Sequence, residues 1–163
     1  MTSDLSKIKN IRSKKKFTIS LAESCTGGMI SKYLTSINGS SLFFNGACIS
    51  YSNQMKIRLL KVSKNTIINY GAVSHQTALA MVKGLNKITD SEILLSVTGV
   101  AGPSGGTLRT PVGCVFFGIG SKINKKYTFK TAKKIFHEKT RHAIQKKSTE
   151  YAMYLILKEL KKI

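Results

Sequence analysis

Three junctions in the sequence combine an apolar run with a following segment of small, polar and glycine residues. They are residues 22–28 (AESCTGG), 50–56 (SYSNQMK) and 98–106 (TGVAGPSGG). A strand that ends in such a turn before a helix offers unpaired backbone N–H groups and side-chain hydroxyls to a ligand. In open α/β sheets, ligands bind at the carboxyl ends of the strands. The three junctions are therefore the candidate functional segments.

Ser24 in the first junction is a candidate nucleophile. At a helix N-terminus, backbone N–H groups and the helix dipole would stabilise its alkoxide or a developing oxyanion. The alternative is that Ser24 only caps the helix in a tight turn. Cys25 beside it is a second candidate nucleophile, but none of the three histidines lies in a motif that places it nearby. Glu23, if it extends the strand, points to the opposite face and is expected to brace the loop.

Lys56, in the first turn of the helix predicted after the second junction, is a candidate general base. A cation is disfavoured there, because the helix dipole is positive and Arg58 and Lys61 lie nearby. An unperturbed lysine, with a pKa of about 10.4, is almost fully charged at neutral pH, but a basic, partly desolvated setting would favour the neutral amine. The alternative is an ordinary solvated surface lysine.

The third junction forms a loop that is rich in glycine and brings bare backbone close to a ligand. It matches neither the phosphate-binding G-x-x-x-x-G-K-[ST] loop nor the G-x-G-x-x-G fingerprint. Neither a nucleoside triphosphate nor a dinucleotide can be inferred from it. The alternative is a long flexible turn.

The elements that must position these junctions alternate between helix and strand. Strands are predicted at residues 17–21, 43–51, 93–97, 112–120 and 126–131. Helices are predicted around residues 5–11, at 26–36 and 54–61, from a cap at Ser74 to about 87, and at 139–161. The fold class is α/β, and we expect one domain over residues 1–163, an α/β/α layered sandwich with a mixed sheet.

Composition narrows the class of protein further. The 163 residues suit one domain, and no apolar run approaches a membrane span or a signal peptide, so we expect a cytoplasmic protein without membrane contact. The three cysteines are widely spaced and without a C-x-x-C pair, which predicts reduced thiols. The histidines and acidic residues form no H-E-x-x-H or similar cluster, so neither a metal nor another cofactor is predicted.

The net charge of +20, from 27 basic and 7 acidic residues, should attract polyanions. No base-reading basic helix, aromatic stacking strand or zinc finger accompanies that charge. Specific recognition of nucleic acid is therefore not predicted. The alternative is that lysine is simply the common surface residue of this chain.

Taken together, the three junctions with residues 71–74 (GAVS) and 111–113 (PVG) resemble the nicotinamide-nucleotide amidases. This family is also known as the C-terminal domain of CinA-type competence-damage proteins, and the resemblance covers about residues 20–160. It implies an α/β/α domain that hydrolyses the carboxamide of nicotinamide mononucleotide to nicotinate mononucleotide and ammonia without a metal. It also implies Ser24 as the nucleophile and Lys56 as the base. We further expect a homo-oligomer.

The expected substrate contacts come from the same segments. Tyr51 and Thr98 match polar positions that line the family's site, and the turn and loop positions expected beside them are Thr26, Gly27, Gly99 and Gly105. Arg109 and Arg141 are the candidates for holding the phosphate of the pyridine nucleotide. The sequence departs from the family at Thr110, where a lysine is usual, and at Gln145, where an arginine is usual, so an altered pocket edge is expected.

A second function stays open beside the amidase. The chain would then be a catalytically silent domain that binds nucleotides or nucleic acid through its positive surface. Ser24 and Lys56 are both present, which favours the enzyme, because a silent relative would be free to lose either.

Overall fold

Strands form where apolar residues run continuously, and helices form where they recur every three or four residues. In the computed structural model, which describes residues 2–163, one sheet contains β1 Ile19–Glu23, β2 Phe44–Ile49, β3 Ile93–Gly99, β4 Cys114–Ile123 and β5 Lys126–Ile135. The α-helices of this part are α1 Thr2–Lys14, α2 Met29–Leu34, α3 Asn53–Leu60, α4 Lys64–Tyr70, α5 His75–Asn86 and α6 Arg141–Leu160. A short 3₁₀ helix, Ser40–Leu42, precedes β2.

The sheet is mixed, with the strand order β2-β1-β3-β4-β5. The strands β2, β1 and β3 run parallel, while β4 and β5 are antiparallel to their neighbours. One face packs in a core with α1, α2 and α6, and the other with α3, α4 and α5. Alternate residues of β1 supply the two cores: Leu21 faces the first and Ala22 the second. The predicted α/β/α sandwich with a mixed sheet is confirmed.

The elements differ from the prediction in their bounds and in one helix. The helix expected from residue 26 begins at Met29, because Gly27 and Gly28 adopt φ of +60° and +97° and extend the turn. Helix α4 was not predicted, since it buries no residue and therefore shows no apolar stripe. The last helix begins at Arg141 after the Thr140 hydroxyl caps it by accepting from the Ala143 N–H.

The carboxyl ends of β2, β1 and β3 meet at one edge of the sheet. Glu23, the last residue of β1, pairs with Ile49 of β2 and with Val97 of β3. The three predicted junctions therefore begin side by side. No helix in the described residues is both long enough and apolar enough to cross a membrane.

Candidate active site

Ser24 and Lys56 lie in direct contact although 32 positions separate them in the chain. Ser24 follows β1, and Lys56 lies in the first turn of α3, whose cap Ser52 accepts a hydrogen bond from the Met55 N–H. The Nζ atom of Lys56 is 3.0 Å from the Oγ atom of Ser24. Both side chains are buried: Lys56 is 2% exposed and Ser24 is 7% exposed. The structure thus brings the predicted nucleophile and base together in a buried setting.

Burial lowers the pKa of the Lys56 amine below its ordinary value of 10.5. The direction agrees with the prediction, and so does one of its two predicted causes, desolvation; the other, the nearby cations Arg58 and Lys61, is not among the causes of the lowered pKa. The amine also contacts the carbonyl oxygens of Ser50 at 3.0 Å and Tyr51 at 3.2 Å. Lys56 is therefore not the solvated surface lysine of the alternative interpretation.

Glu23 holds the turn that follows Ser24. Its fully buried carboxylate accepts hydrogen bonds from the Thr26 hydroxyl at 2.6 Å and from the N–H groups of Gly28 at 3.0 Å and Ile30 at 3.2 Å. It also accepts from the N–H group of Ser31 at 2.8 Å and from its hydroxyl at 2.5 Å. The expected loop-bracing role of Glu23 is confirmed.

This bracing overturns two expectations about the start of α2. Because Glu23 occupies the N–H groups there, they are not available to stabilise an oxyanion on Ser24. Gly28, not Ser24, takes the N-cap position, so the interpretation of Ser24 as a helix cap was wrong. Instead, the N–H groups of Cys25 and Thr26 find no acceptor in another residue of the described chain. These are the two backbone N–H groups that directly follow Ser24 in the chain.

The Cys25 side chain is unsuited to be the nucleophile. Burial raises the pKa of its thiol to about 12, so the reactive thiolate is suppressed at neutral pH. Its carbonyl oxygen accepts a hydrogen bond from the Gln145 amide at 2.9 Å. Sequence reasoning missed this brace, although Gln145 lies one helical turn after Arg141 and hence on the same face of α6. All three cysteines are free.

A cavity of about 300 Å³ opens over the Ser24–Lys56 pair. Of the predicted substrate contacts, those that line it are Tyr51, Thr98, Gly99, Gly105 and Arg141. Other lining residues lie in the segments that the sequence singled out but were not predicted as substrate contacts; they include Asn53, Ala72, Val73 and Ser104. Asn53 had a detectable signal, since it lies next to the helix cap in the second junction.

The remaining predicted contacts lie outside the lining of the cavity. Thr26 is buried beneath the turn and donates to Glu23. Gly27 supplies the left-handed turn, and Arg109 is exposed on the glycine-rich loop. Thr98 lines the cavity, yet its hydroxyl donates to the Ala72 carbonyl at 2.8 Å and so also holds the segment before α5.

Arg141 joins the two sides of the cavity. Its Nη1 atom donates to the Gly102 carbonyl at 2.8 Å, and its Nη2 atom donates to the Tyr51 hydroxyl at 2.7 Å. Arg141 carries a positive charge, whereas no residue lining the cavity is acidic. The site therefore suits an anionic ligand. Within the described residues, no group of three or more His, Cys, Asp or Glu side chains is placed to bind a metal ion.

The protein is thus of the α/β/α class. Its distinguishing feature is a buried serine–lysine pair at the carboxyl ends of the parallel strands. The sequence model of the CinA C-terminal domain matches residues 3–160, and the chain belongs to that family.

Relatives and solved structures agree with this assignment. A putative competence-damage inducible protein of Alkaliphilus metalliredigens is 46% identical over 149 residues, which cover 91% of this chain and 35% of that protein. A CinA-like protein of Pseudothermotoga lettingae is 42% identical over 145 residues, covering 89% and 34%. The chain thus spans about a third of these curated relatives. The crystal structure of competence/damage inducible protein CihA from Agrobacterium tumefaciens superposes with a TM-score of 0.87 at 31% identity, covering 95% of this chain and 92% of that one.

Proposed function

We propose that this domain is an amidohydrolase that removes ammonia from the carboxamide of nicotinamide mononucleotide. Ser24 is the nucleophile and Lys56 is its general base. The observation that carries the proposal is the 3.0 Å contact between Lys56 Nζ and Ser24 Oγ, buried at the wall of the cavity. A serine activated by a lysine is a known form of activated nucleophile and requires no histidine.

The contacts of Lys56 suit a neutral amine. A neutral amine has two N–H donors and one lone pair. The carbonyl oxygens of Ser50 and Tyr51 satisfy the two donors. In the neutral amine the lone pair would face the Ser24 hydroxyl, whose Oγ atom lies 3.0 Å from Nζ, and could accept its proton. Burial and these contacts together support Lys56 as the group that accepts the serine proton.

The reaction then follows in two halves. Lys56 takes the Ser24 proton while Oγ attacks the carboxamide carbon, and a tetrahedral oxyanion forms that the backbone N–H groups following Ser24 would stabilise. The protonated Lys56 gives its proton to the leaving nitrogen, and ammonia departs from an ester on Ser24. Lys56 next takes a proton from water, whose oxygen attacks the ester carbon. Transfer of that proton back to Ser24 Oγ releases the nicotinate nucleotide.

The charge of the cavity supports a substrate that carries a phosphate. Arg141 uses two of its guanidinium N–H groups on Gly102 and Tyr51, and a guanidinium has five such donors. Three donors therefore stay free for phosphate oxygens. Arg109 is exposed on the loop and does not line the cavity, so we assign the phosphate contact to Arg141.

A catalytically silent binding domain explains these features less well. Burying a lysine disfavours its charged form and therefore reduces stability at neutral pH. A binding surface has no need for that cost, and a lysine that attracts an anion is more effective in its charged form. A buried amine directed at a serine hydroxyl instead fits a base.

Ammonia release from nicotinamide mononucleotide by the purified protein tests the proposal. Nicotinamide riboside, which lacks the phosphate, and free nicotinamide are the matched comparison substrates. We expect hydrolysis of the mononucleotide, a raised KM for the riboside, and no ammonia from the Ser24→Ala variant. Folded wild-type protein that releases no ammonia from the mononucleotide would refute the assignment.

A further inference from the structure

Gln145 of α6 contacts the turn that carries the proposed nucleophile. Its side-chain amide donates to the Cys25 carbonyl oxygen at 2.9 Å, across 120 positions of the chain. Cys25 lines the cavity, whereas Gln145 does not. Gln145 therefore acts on the site through the backbone of this turn and not through contact with a substrate.

The Cys25 carbonyl and the Thr26 N–H belong to one peptide unit. That unit is trans, because the only cis peptide bond within residues 2–163 joins Gly102 to Pro103. In a planar trans unit the C=O and N–H bonds point in opposite directions. A hydrogen bond that holds the Cys25 carbonyl on one side therefore fixes the direction of the Thr26 N–H on the other.

The preceding peptide unit is held within the turn itself. The Ser24 carbonyl accepts a hydrogen bond from the Gly27 N–H at 3.0 Å, which in the same way fixes the direction of the Cys25 N–H. The Cys25 carbonyl has no such local partner, and among the described residues the Gln145 amide is its donor. The first N–H after Ser24 is thus set locally, and the second is set by α6.

We propose that Gln145 is a positioning residue that directs the Thr26 N–H at the oxyanion. This role rests on the proposed function, in which the N–H groups following Ser24 stabilise the tetrahedral oxyanion. Such donors act most strongly when they are already directed at the developing charge. Without the Gln145 amide, the Cys25–Thr26 peptide unit can rotate away from that direction. Because the oxyanion is absent from the bound substrate, the loss should appear in kcat and not in KM.

Two replacements of Gln145 separate the hydrogen bond from the size of the side chain. Methionine is about as long as glutamine but has no N–H donor, so Gln145→Met removes the hydrogen bond and keeps the packing. In arginine the Nε–H group lies as many bonds from the backbone as the glutamine amide nitrogen. Gln145→Arg should therefore keep a donor on the Cys25 carbonyl.

Steady-state kinetics with nicotinamide mononucleotide gives the first readout. Removal of an oxyanion donor itself costs about a hundredfold to a thousandfold in kcat, so loss of its positioning in Gln145→Met should cost about tenfold to a hundredfold. KM should stay within about threefold of wild type, and Gln145→Arg should retain most of the wild-type kcat.

Arg12 provides a matched control for the loss of a hydrogen bond to the backbone. Its Nε atom donates to the Leu42 carbonyl at 2.8 Å, and neither residue lines the cavity. Arg12→Met removes this bond as Gln145→Met removes the other, and it should leave kcat unchanged.

A tetrahedral adduct distinguishes positioning from a general loosening of the fold. The probe is pyridine-3-carboxaldehyde mononucleotide, in which an aldehyde replaces the carboxamide. Ser24 Oγ adds to the aldehyde carbon as the C=O π bond opens to an oxyanion, Lys56 accepts the serine proton, and no group leaves. In Gln145→Met the inhibition constant of this aldehyde should rise by the factor by which kcat/KM falls. The trigonal product, nicotinate mononucleotide, should bind as it does to wild type.

The outcomes separate this role from the proposed function. Nearly wild-type kcat in a folded Gln145→Met protein, or equal losses in Gln145→Met and Gln145→Arg, would overturn the positioning role and leave the amidase standing. A wild-type protein that releases no ammonia would instead refute the amidase itself. If Gln145→Met does not fold, Gln145→Glu takes its place, because an ionised carboxylate keeps the shape and has no donor.

Discussion

The two walls of the cavity are built in different ways. At one wall Ser24 and Lys56 are buried, and Glu23 and Gln145 hold the turn between them through hydrogen bonds. At the other wall the loop of residues 99–106 presents bare backbone, and its residues 103–106 are exposed. Arg141 links the two by donating to the loop and to Tyr51.

This difference separates chemistry from substrate binding. A reacting pair must keep its geometry to within a fraction of an ångström, which burial and hydrogen-bonded support provide. A loop of exposed backbone can shape the pocket around a substrate without setting the reactivity of any group. Changes at the buried wall should therefore lower kcat, and changes at the exposed wall should mainly raise KM.

A pair of serine variants tests this division most strongly. Ser24 and Ser104 both line the cavity, one at each wall. Ser24→Ala removes the nucleophilic oxygen, and kcat for amide hydrolysis should fall by at least about a thousandfold. Ser104→Ala should stay within about threefold of wild type, since its hydroxyl takes no part in the chemistry. More than a few per cent of wild-type kcat in a folded Ser24→Ala protein would remove Ser24 as nucleophile.

Replacement of Lys56 separates a base from a charge. Lys56→Arg keeps the positive charge but cannot lose a proton near neutral pH, so it should be as inactive as Lys56→Ala. We expect both to lose about a hundredfold or more in kcat, the usual contribution of general base catalysis. Steady-state kinetics of both variants shows whether Lys56 acts as a base or only as a positive charge. An arginine variant with nearly wild-type kcat would leave Ser24 without a base.

Arg141 should show the opposite kinetic pattern. Arg141→Ala removes the cation that we assign to the substrate phosphate, and the KM for nicotinamide mononucleotide should rise about tenfold to a hundredfold. Its kcat should change much less, and Arg141→Lys should recover part of the loss in KM. As a control, the KM for nicotinamide riboside, which lacks the phosphate, should barely respond. A decrease in kcat with an unchanged KM would instead mean that Arg141 takes part in the reaction itself.

The smallest expected effect concerns stability. The pKa of Lys56 is lower in the folded protein than its ordinary 10.5, so the unfolded chain binds more protons at neutral pH and protonation favours unfolding. Wild-type stability should therefore rise with pH towards 10.5 relative to Lys56→Met, whose side chain does not titrate. The difference in Tm, Met variant minus wild type, should be largest at neutral pH and shrink as pH rises. A difference independent of pH would mean that the pKa is not lowered.

Local sequence patterns predicted the layers of the fold and made Ser24 and Lys56 candidates, and the family resemblance then implied that the two act as nucleophile and base. The buried run before Ser24 and the capped helix at Lys56 place both residues at strand ends, and parallel strands bring such ends together. The burial of Lys56 was not predictable in the same way, because it depends on packing contributed by distant segments. The exposed position of Arg109 and the brace from Gln145 likewise depend on tertiary contacts, the latter across 120 positions.

Helix α4 and the start of α2 show two other limits of sequence patterns. In α4 no residue is buried, so hydrophobic periodicity carries no signal. At α2 the helical spacing continues back through the glycines, but Glu23 takes up the first N–H groups and fixes a turn instead. A carboxylate that binds its own following turn competes with helix initiation, and spacing alone does not reveal this competition.

The pH dependence of kcat/KM for nicotinamide mononucleotide tests the central claim most directly, since the reactive form of the enzyme requires neutral Lys56. The rate should rise with pH through the lowered pKa of Lys56 and level off below the ordinary lysine value of 10.5. The Lys56→Arg variant should lack this rise in its residual activity. A wild-type rate that falls with rising pH, or rises only at 10.5, would show that Lys56 does not act as the base.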